Sequence, residues 1–450
     1  MKQWSTSLIV VSLILFSSCG SKKIDTTGLI PISVEALTDE NSAFYADYKN
    51  YPSNRVELPI GIFDSGTGGL TVLEAFLKID CFNNATGEEQ PDGVPDFEGE
   101  KFIYLADQAN MPYGNYPSEN RTDYLRELIV KDALFLTRDT NRSKIVVIAC
   151  NTATAYGKND IELLMKAGET DINVVGVINA GVNAVLDNLD GSKESAVGVL
   201  ATVGTISSCG YQNTIKNLST EKGFKLLPPV APQPGKGFAE AVDMVADFID
   251  PAATSPRDTY KGPSLGTDSL SVNPDLIDVY NFDYSSNRIL LQKRGKKIEK
   301  LQLNSAGNYA RYHMVSLVDN YVKHGGKAPI KSVILGCTHY PYLLDTLSKC
   351  VNELRDFKRD GEYIYREVLD SNVTFVDPAM YTAKETYKTL KNKGLLNNRK
   401  GGFSLKAFIS VERGKDKIEM FSKQNINPQN LTRIQDRLPE TYRLIKPLTE

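Results

Sequence analysis

Histidine is scarce in this chain: only His313, His324 and His339 occur in 450 residues. Neither an HExxH string nor a CxxC pair is present, which leaves no basis for a multi-histidine or thiolate-cluster metal centre. Tryptophan is rarer still, a single Trp4 at the extreme N-terminus, so no indole anchors a ligand in the body of the protein. Charge of one sign is also lacking. Fifty-two Lys and Arg stand against 55 Asp and Glu, for a formal net charge of -3, and no basic stripe is long enough to follow a nucleic-acid backbone. The six cysteines are neither dense nor regularly spaced, so they do not read as a disulfide framework.

What is present begins with a targeting segment. Lys2 precedes the apolar run SLIVVSLILF, too short to span a bilayer as a stable helix, and SSCGS follows. Small residues before Cys19 resemble a bacterial lipoprotein signal, in which that cysteine becomes the lipidated first residue of the mature chain. The reading is a signal over 1–19 and a membrane-anchored protein on the periplasmic or cell-envelope side, with a polar tether over 20–55. A chain of this length and composition exceeds one ordinary core, which predicts two domains or one with large insertions.

From Leu58 onward, short apolar runs alternate with segments of helical periodicity: LPIGIFD, KFIYLAD, KIVVIAC and NVVGVI in one series, then AVGVLAT and KSVILGC. Strands alternating with helices predict α/β architecture, here two doubly wound parallel-sheet domains of similar topology with the active site between them. The expected division is 56–175 with 367–450 for the first domain and 176–366 for the second. Residues 80–100 are acidic and turn-rich, a solvated insertion. Residues from about 250 to 310 form a second insertion, ending in a basic hairpin that turns at Gly295.

Two of the runs end in a cysteine within a polar turn, IACNTATA at Cys150 and ILGCTHYP at Cys337. The carboxyl ends of parallel strands are where open α/β sheets place ligands. A lone cysteine after an apolar strand is more often packing than chemistry, an adequate reading for Cys81 and Cys350. Two such turns in one chain instead suggest a pair of opposed thiol bases acting at a carbon stereocentre. IGIFDSGTGG lacks both GxGxxG spacing and a Lys-Ser/Thr pair, so its glycines suit an anionic ligand at a helix N-terminus better than a nucleotide.

Taken in order, IGIFDSGTGGLTV, YLADQANMPYG, IACNTATA, GVINAG, LATVGTISSCGY and ILGCTHYP resemble the glutamate racemases of the aspartate/glutamate racemase superfamily. The resemblance implies a cofactor-independent, metal-free isomerase that supplies D-glutamate for peptidoglycan precursors. It implies that Cys150 and Cys337 are the two acid/base thiols, assisted by Asp64 and His339. Ser65, Tyr113, Gly114, Asn151, Thr152 and Thr338 would hold the carboxylates and ammonium of an acidic amino acid. The expected partners are that small molecule and, through the lipid, a membrane, with a homodimer left open. Two alternatives stand beside glutamate racemisation: an aspartate racemase or related isomerase, and an exported acidic amino-acid binding protein without turnover.

Overall fold

The computed structural model of the protein describes residues 24–138, 141–268, 270–295, 297–397, 402–410 and 442–445. The signal segment and Cys19 lie outside these residues. Helix α1 (Pro31–Thr38) comes first, followed by β1 (Ile60–Asp64), α2 (Leu70–Lys78), β2 (Lys101–Ala106), α3 (Thr122–Thr137), β3 (Ile145–Ile148), α4 (Asn151–Ala167) and β4 (Asn173–Gly176). The second series runs α5 (Val177–Asp187), β5 (Ala196–Ala201), α6 (Val203–Ser207), α7 (Gly210–Glu221), β6 (Val230–Pro234), α8 (Phe238–Val242) and α9 (Ile277–Tyr280). It continues with β7 (Ile289–Arg294), β8 (Lys297–Leu303), α10 (Ala306–Lys323), β9 (Ile330–Gly336), α11 (Leu344–Asp356), the two-residue strands β10 (Lys358–Arg359) and β11 (Glu362–Tyr363), and β12 (Leu369–Val376). Helix α12 (Pro378–Asn392), β13 (Ser404–Ser410) and β14 (Tyr442–Ile445) complete the described chain.

The protein is α/β with two largely parallel sheets. Their strand orders are β14-β13-β2-β1-β3-β4 and β12-β9-β5-β6, and among the described residues only β14 pairs antiparallel within them. Strands β1, β3 and β5 are buried along their whole length, as sequences covered by helices on both faces must be. In the first sheet the chain moves from β1 to one side for β2 and to the other for β3. In the second it moves from β5 to β6 and then back across to β9. Each sheet therefore has a switch point, between β1 and β3 and between β5 and β9, and there the loops diverge to leave a crevice.

The chain crosses between the sheets at Gly176–Val177 and again after Val376. Strand β12 pairs with β9, so residues 369–376 belong to the second sheet, and the return falls at Asp377 rather than at 367. The two crossings touch, since a Cβ added to Gly181 of α5 would stand 3.0 Å from Pro378 Cγ.

The segment read as a tether is folded over most of its length. Ile32, Ala36, Leu37, Phe44 and Tyr48 are buried in the same core as α3 and α4, and the Tyr48 hydroxyl lies 2.7 Å from Thr137 Oγ1. Burying a large apolar side chain stabilises by roughly 1.5–3 kcal/mol, more than a solvated linker offers. The 80–100 insertion is also rooted. Glu88, Glu89, Asp92 and Glu98 face solvent, but Phe82 stacks on Tyr387 at 4.2 Å, and the buried Asp96 accepts from the N–H groups of Cys81 and Phe82 at 2.9 Å each. The basic hairpin β7–β8 turns at Gly295, and its base enters the core through Ile289, Leu290, Leu301 and Leu303.

Candidate active site

Cys150 stands two residues beyond β3 and caps α4, its Sγ accepting from the Ala153 N–H at 3.4 Å. On the neighbouring strand, Asp64 ends β1. Its Oδ2 accepts from the Gly69 N–H at 2.8 Å and the Gly66 N–H at 3.3 Å, which fixes the glycine turn around the carboxylate. Ser65 closes the group, its Oγ accepting from the Cys150 thiol at 3.5 Å. Burial pushes the Cys150 thiol up to about 12, and the Asp64 charge adds to that shift. Burial raises the Asp64 carboxyl as well, against the turn N–H groups and His339, which lower it. At neutral pH Cys150 is thus a thiol, equipped to give a proton.

The second thiol sits in the turn after β9. His339 Nδ1 lies 3.5 Å from Cys337 Sγ and 3.4 Å from Thr338 Oγ1, while Nε2 lies 3.2 Å from Asp243 Oδ2, one residue beyond α8. Burial lowers the imidazole's proton affinity, but the bonds to Asp243 and to Cys337 outweigh it and push His339 up to about 11. The ring is therefore an imidazolium at neutral pH, with its Nδ1 side toward the Cys337 sulfur. Glu240 is a further carboxyl near this ring, raised by burial and drawn down again by His339.

The two thiol sites face one crevice. A Cβ on Gly68, in the turn that follows Asp64, would lie 2.6 Å from Thr338 Oγ1 and 2.7 Å from His339 Cε1. Bonds cross the crevice beside Cys150 as well. Tyr211 donates to Asn151 Oδ1 at 2.5 Å, and Thr152 Oγ1 lies 3.3 Å from Thr202 Oγ1 and 3.1 Å from Thr205 Oγ1. Both sulfurs are nearly covered, with relative exposures of 7% for Cys150 and 8% for Cys337.

Tyr113 and Gly114 sit on the same wall, but they do not both offer a side chain. The Tyr113 ring is buried and its hydroxyl bonds Asp107 and Asp132, so only the backbone of this turn is left for a ligand. Gly114 packs against Gly204, whose added Cβ would stand 2.7 Å from the Gly114 carbonyl oxygen. Asp64, Ser65, Gly114, Cys150, Asn151, Thr152, Cys337, Thr338 and His339 thus form one connected group where a crevice is expected beyond the strand ends. Asp243, Thr202, Thr205 and Tyr211 join it and were missed from the sequence. The TVGT string was a usable signal for the threonines; AVDMV gives none for Asp243.

No family model matches the chain. It is similar to glutamate racemase 1 of Caldanaerobacter subterraneus subsp. tengcongensis, 26% identical over 345 residues that cover 76% of this chain and 84% of the relative. It is similar to glutamate racemase of Levilactobacillus brevis at 25% identity over 340 residues, 76% of this chain and 81% of the relative. A shorter stretch of 158 residues is 37% identical to glutamate racemase of Enterococcus faecalis, covering 46% of that protein. Among solved structures, a glutamate racemase isoform from Bacillus anthracis matches with a TM-score of 0.47 at 23% identity, over 79% of this chain and 89% of that one.

Proposed function

We propose that this chain belongs to the aspartate/glutamate racemase superfamily and interconverts the enantiomers of an acidic amino acid, glutamate first, by proton transfer between two cysteines, a reading supported by its similarity to glutamate racemases. One observation carries the reading: two nearly buried thiols border one crevice, each with its own acid/base partner, Asp64 on one side and the His339–Asp243 pair on the other.

The chemistry needs one sulfur as thiolate and the other as thiol. With Cys337 acting as the base, its thiolate takes the Cα proton of one enantiomer. The C–H electron pair passes into the carbanion and onto the α-carboxylate, where hydroxyl and N–H donors of Ser65, Thr152 and Thr338 stabilise it. The Cys150 thiol then delivers its own proton to the opposite face of Cα. The enzyme is left with Cys337 as thiol and Cys150 as thiolate, poised for the other enantiomer. Exclusion of water keeps each proton with its sulfur long enough for transfer.

Incubation with L- or D-glutamate in D₂O tests this. Solvent deuterium should enter at Cα as the opposite enantiomer accumulates. Exchange with aspartate alone would move the substrate to aspartate, and saturable binding without exchange would make the protein a binding protein. We propose further that a lipid on Cys19 holds the enzyme at the cell envelope, a reading supported by the SSCGS string after an apolar run.

A further inference from the structure

Behind the Tyr113–Gly114 turn lies a buried ionic cluster that the two-thiol chemistry does not use. Asp107 follows β2, Lys131 and Asp132 sit in the middle of α3, and all three are at most 4% exposed. Lys131 Nζ lies 3.1 Å from Oδ1 of Asp107 and 3.1 Å from Oδ1 of Asp132. Asn110 Nδ2 donates to both oxygens of Asp107, at 2.8 and 2.7 Å. The Asp107 N–H in turn donates to the carbonyl of Asp64 at 2.8 Å, which ties the cluster to the catalytic strand end.

Counting protons decides the state of this cluster. Tyr113 Oη is 2.6 Å from Asp107 Oδ2 and 2.7 Å from Asp132 Oδ2. A phenol carries one hydrogen and cannot donate to both carboxylates. At such separations the second contact needs a proton brought by a carboxyl group. Asp107 already receives Asn110 and Lys131, as an ionised carboxylate does. Asp132 is then the protonated member: burial first, and the Asp107 charge second, push it up to about 8 against the pull of Lys131. One ammonium, one carboxylate and one carboxylic acid sum to zero charge in a dry interior, where an unmatched charge is costly.

We propose that Asp132 keeps its proton in the folded protein and donates it to Tyr113 Oη, and so acts as a positioning residue for the Tyr113–Gly114 wall of the crevice. The inference rests on the reading of that turn as part of the substrate cleft. The wall is tightly placed, with the Gly114 backbone against Gly204 and the position of its missing Cβ 3.7 Å from Thr202 Oγ1. The Thr202 hydroxyl belongs to the chain through Thr152 that begins next to Cys150. Ionising Asp132 sets a second negative charge beside Asp107, and Tyr113 then has two acceptors for one hydrogen. The ring shifts, and the wall shifts with it.

Asp132→Asn and Asp132→Ala separate positioning from mere support. Asn keeps a donor for Tyr113 and cannot ionise, so its KM should match the wild type at pH 7 and lack the rise above about pH 8 that is expected of the wild type. Ala should raise KM about tenfold while kcat changes far less. Infrared spectra read the proton directly: the wild type at pH 7 should carry a buried carboxylic-acid carbonyl band that Asp132→Asn removes. Absence of that band, or an alkaline rise in KM that persists in Asp132→Asn, overturns the proposal. A wild type that binds and turns over no acidic amino acid overturns the activity reading instead, and the infrared band still decides where the proton is.

Discussion

Asp243 holds the far side of the His339 ring, Oδ2 to Nε2 at 3.2 Å, although the two residues stand 96 apart in the chain. The near side of the same ring faces Cys337, so a residue with no motif of its own sets the charge next to a thiol.

Asp243→Asn should therefore change a pH profile before it changes a fold. With the carboxylate in place the imidazolium persists to about 11, and no histidine limb enters the range from pH 6 to 9. Removing the negative partner lowers the ring's proton affinity, so activity carried by the imidazolium is kept at low pH and lost as pH rises through the new, lower value. The measurement is kcat/KM against pH. An unchanged alkaline side would show that Asp243 does not govern this ring.

Cys150→Ala and Cys337→Ala should each lower racemisation by roughly 10³-fold or more, because each removes one of two bases. Cys81→Ala should leave turnover near normal. Cys350→Ala, in a buried position, should reduce stability modestly while turnover survives. Near-normal turnover by Cys337→Ala would end the two-base reading.

Gly68→Ala tests whether the glycine turn must approach the second thiol. Its new methyl would stand 2.6 Å from Thr338 Oγ1, so one wall must yield. A misplacement of this kind should cost roughly tenfold to a hundredfold in kcat/KM with little change in melting temperature. Unimpaired kinetics would mean that the crevice opens freely at this point.

Cys19→Ala should convert a detergent-phase protein into a soluble or uncleaved one, since the acyl chains supply the membrane affinity. Phase partitioning and intact mass measure this, and wild-type protein free of acyl mass would remove the anchor.

Much of this was legible from local strings. Strands β3 and β9 read as apolar runs ending in Cys150 and Cys337 because strands covered on both faces need such runs. The boundary at 367 failed for a physical reason. Strand β12 is an edge strand whose residues are mostly half-buried or exposed, so its sequence does not say which sheet it joins. The segment before Arg55 looked like a tether because its one described helix is only eight residues long; the burial of its apolar residues depends on α3 and α4, far along the chain. Asp243 was invisible for the same reason, as was the dual commitment of the Tyr113 hydroxyl.

The folding of that early segment changes what an anchor at Cys19 would do. Ile24 already packs against the first core, so only five residue steps separate the lipid from the protein body. At about 3.6 Å per extended residue, the reach is about 18 Å, against well over 100 Å for a free tether ending at Arg55. The enzyme would lie on the headgroups like a moored raft, free to drift sideways but unable to sample the depth of the cell envelope. Its amino acid would have to be delivered to the membrane plane.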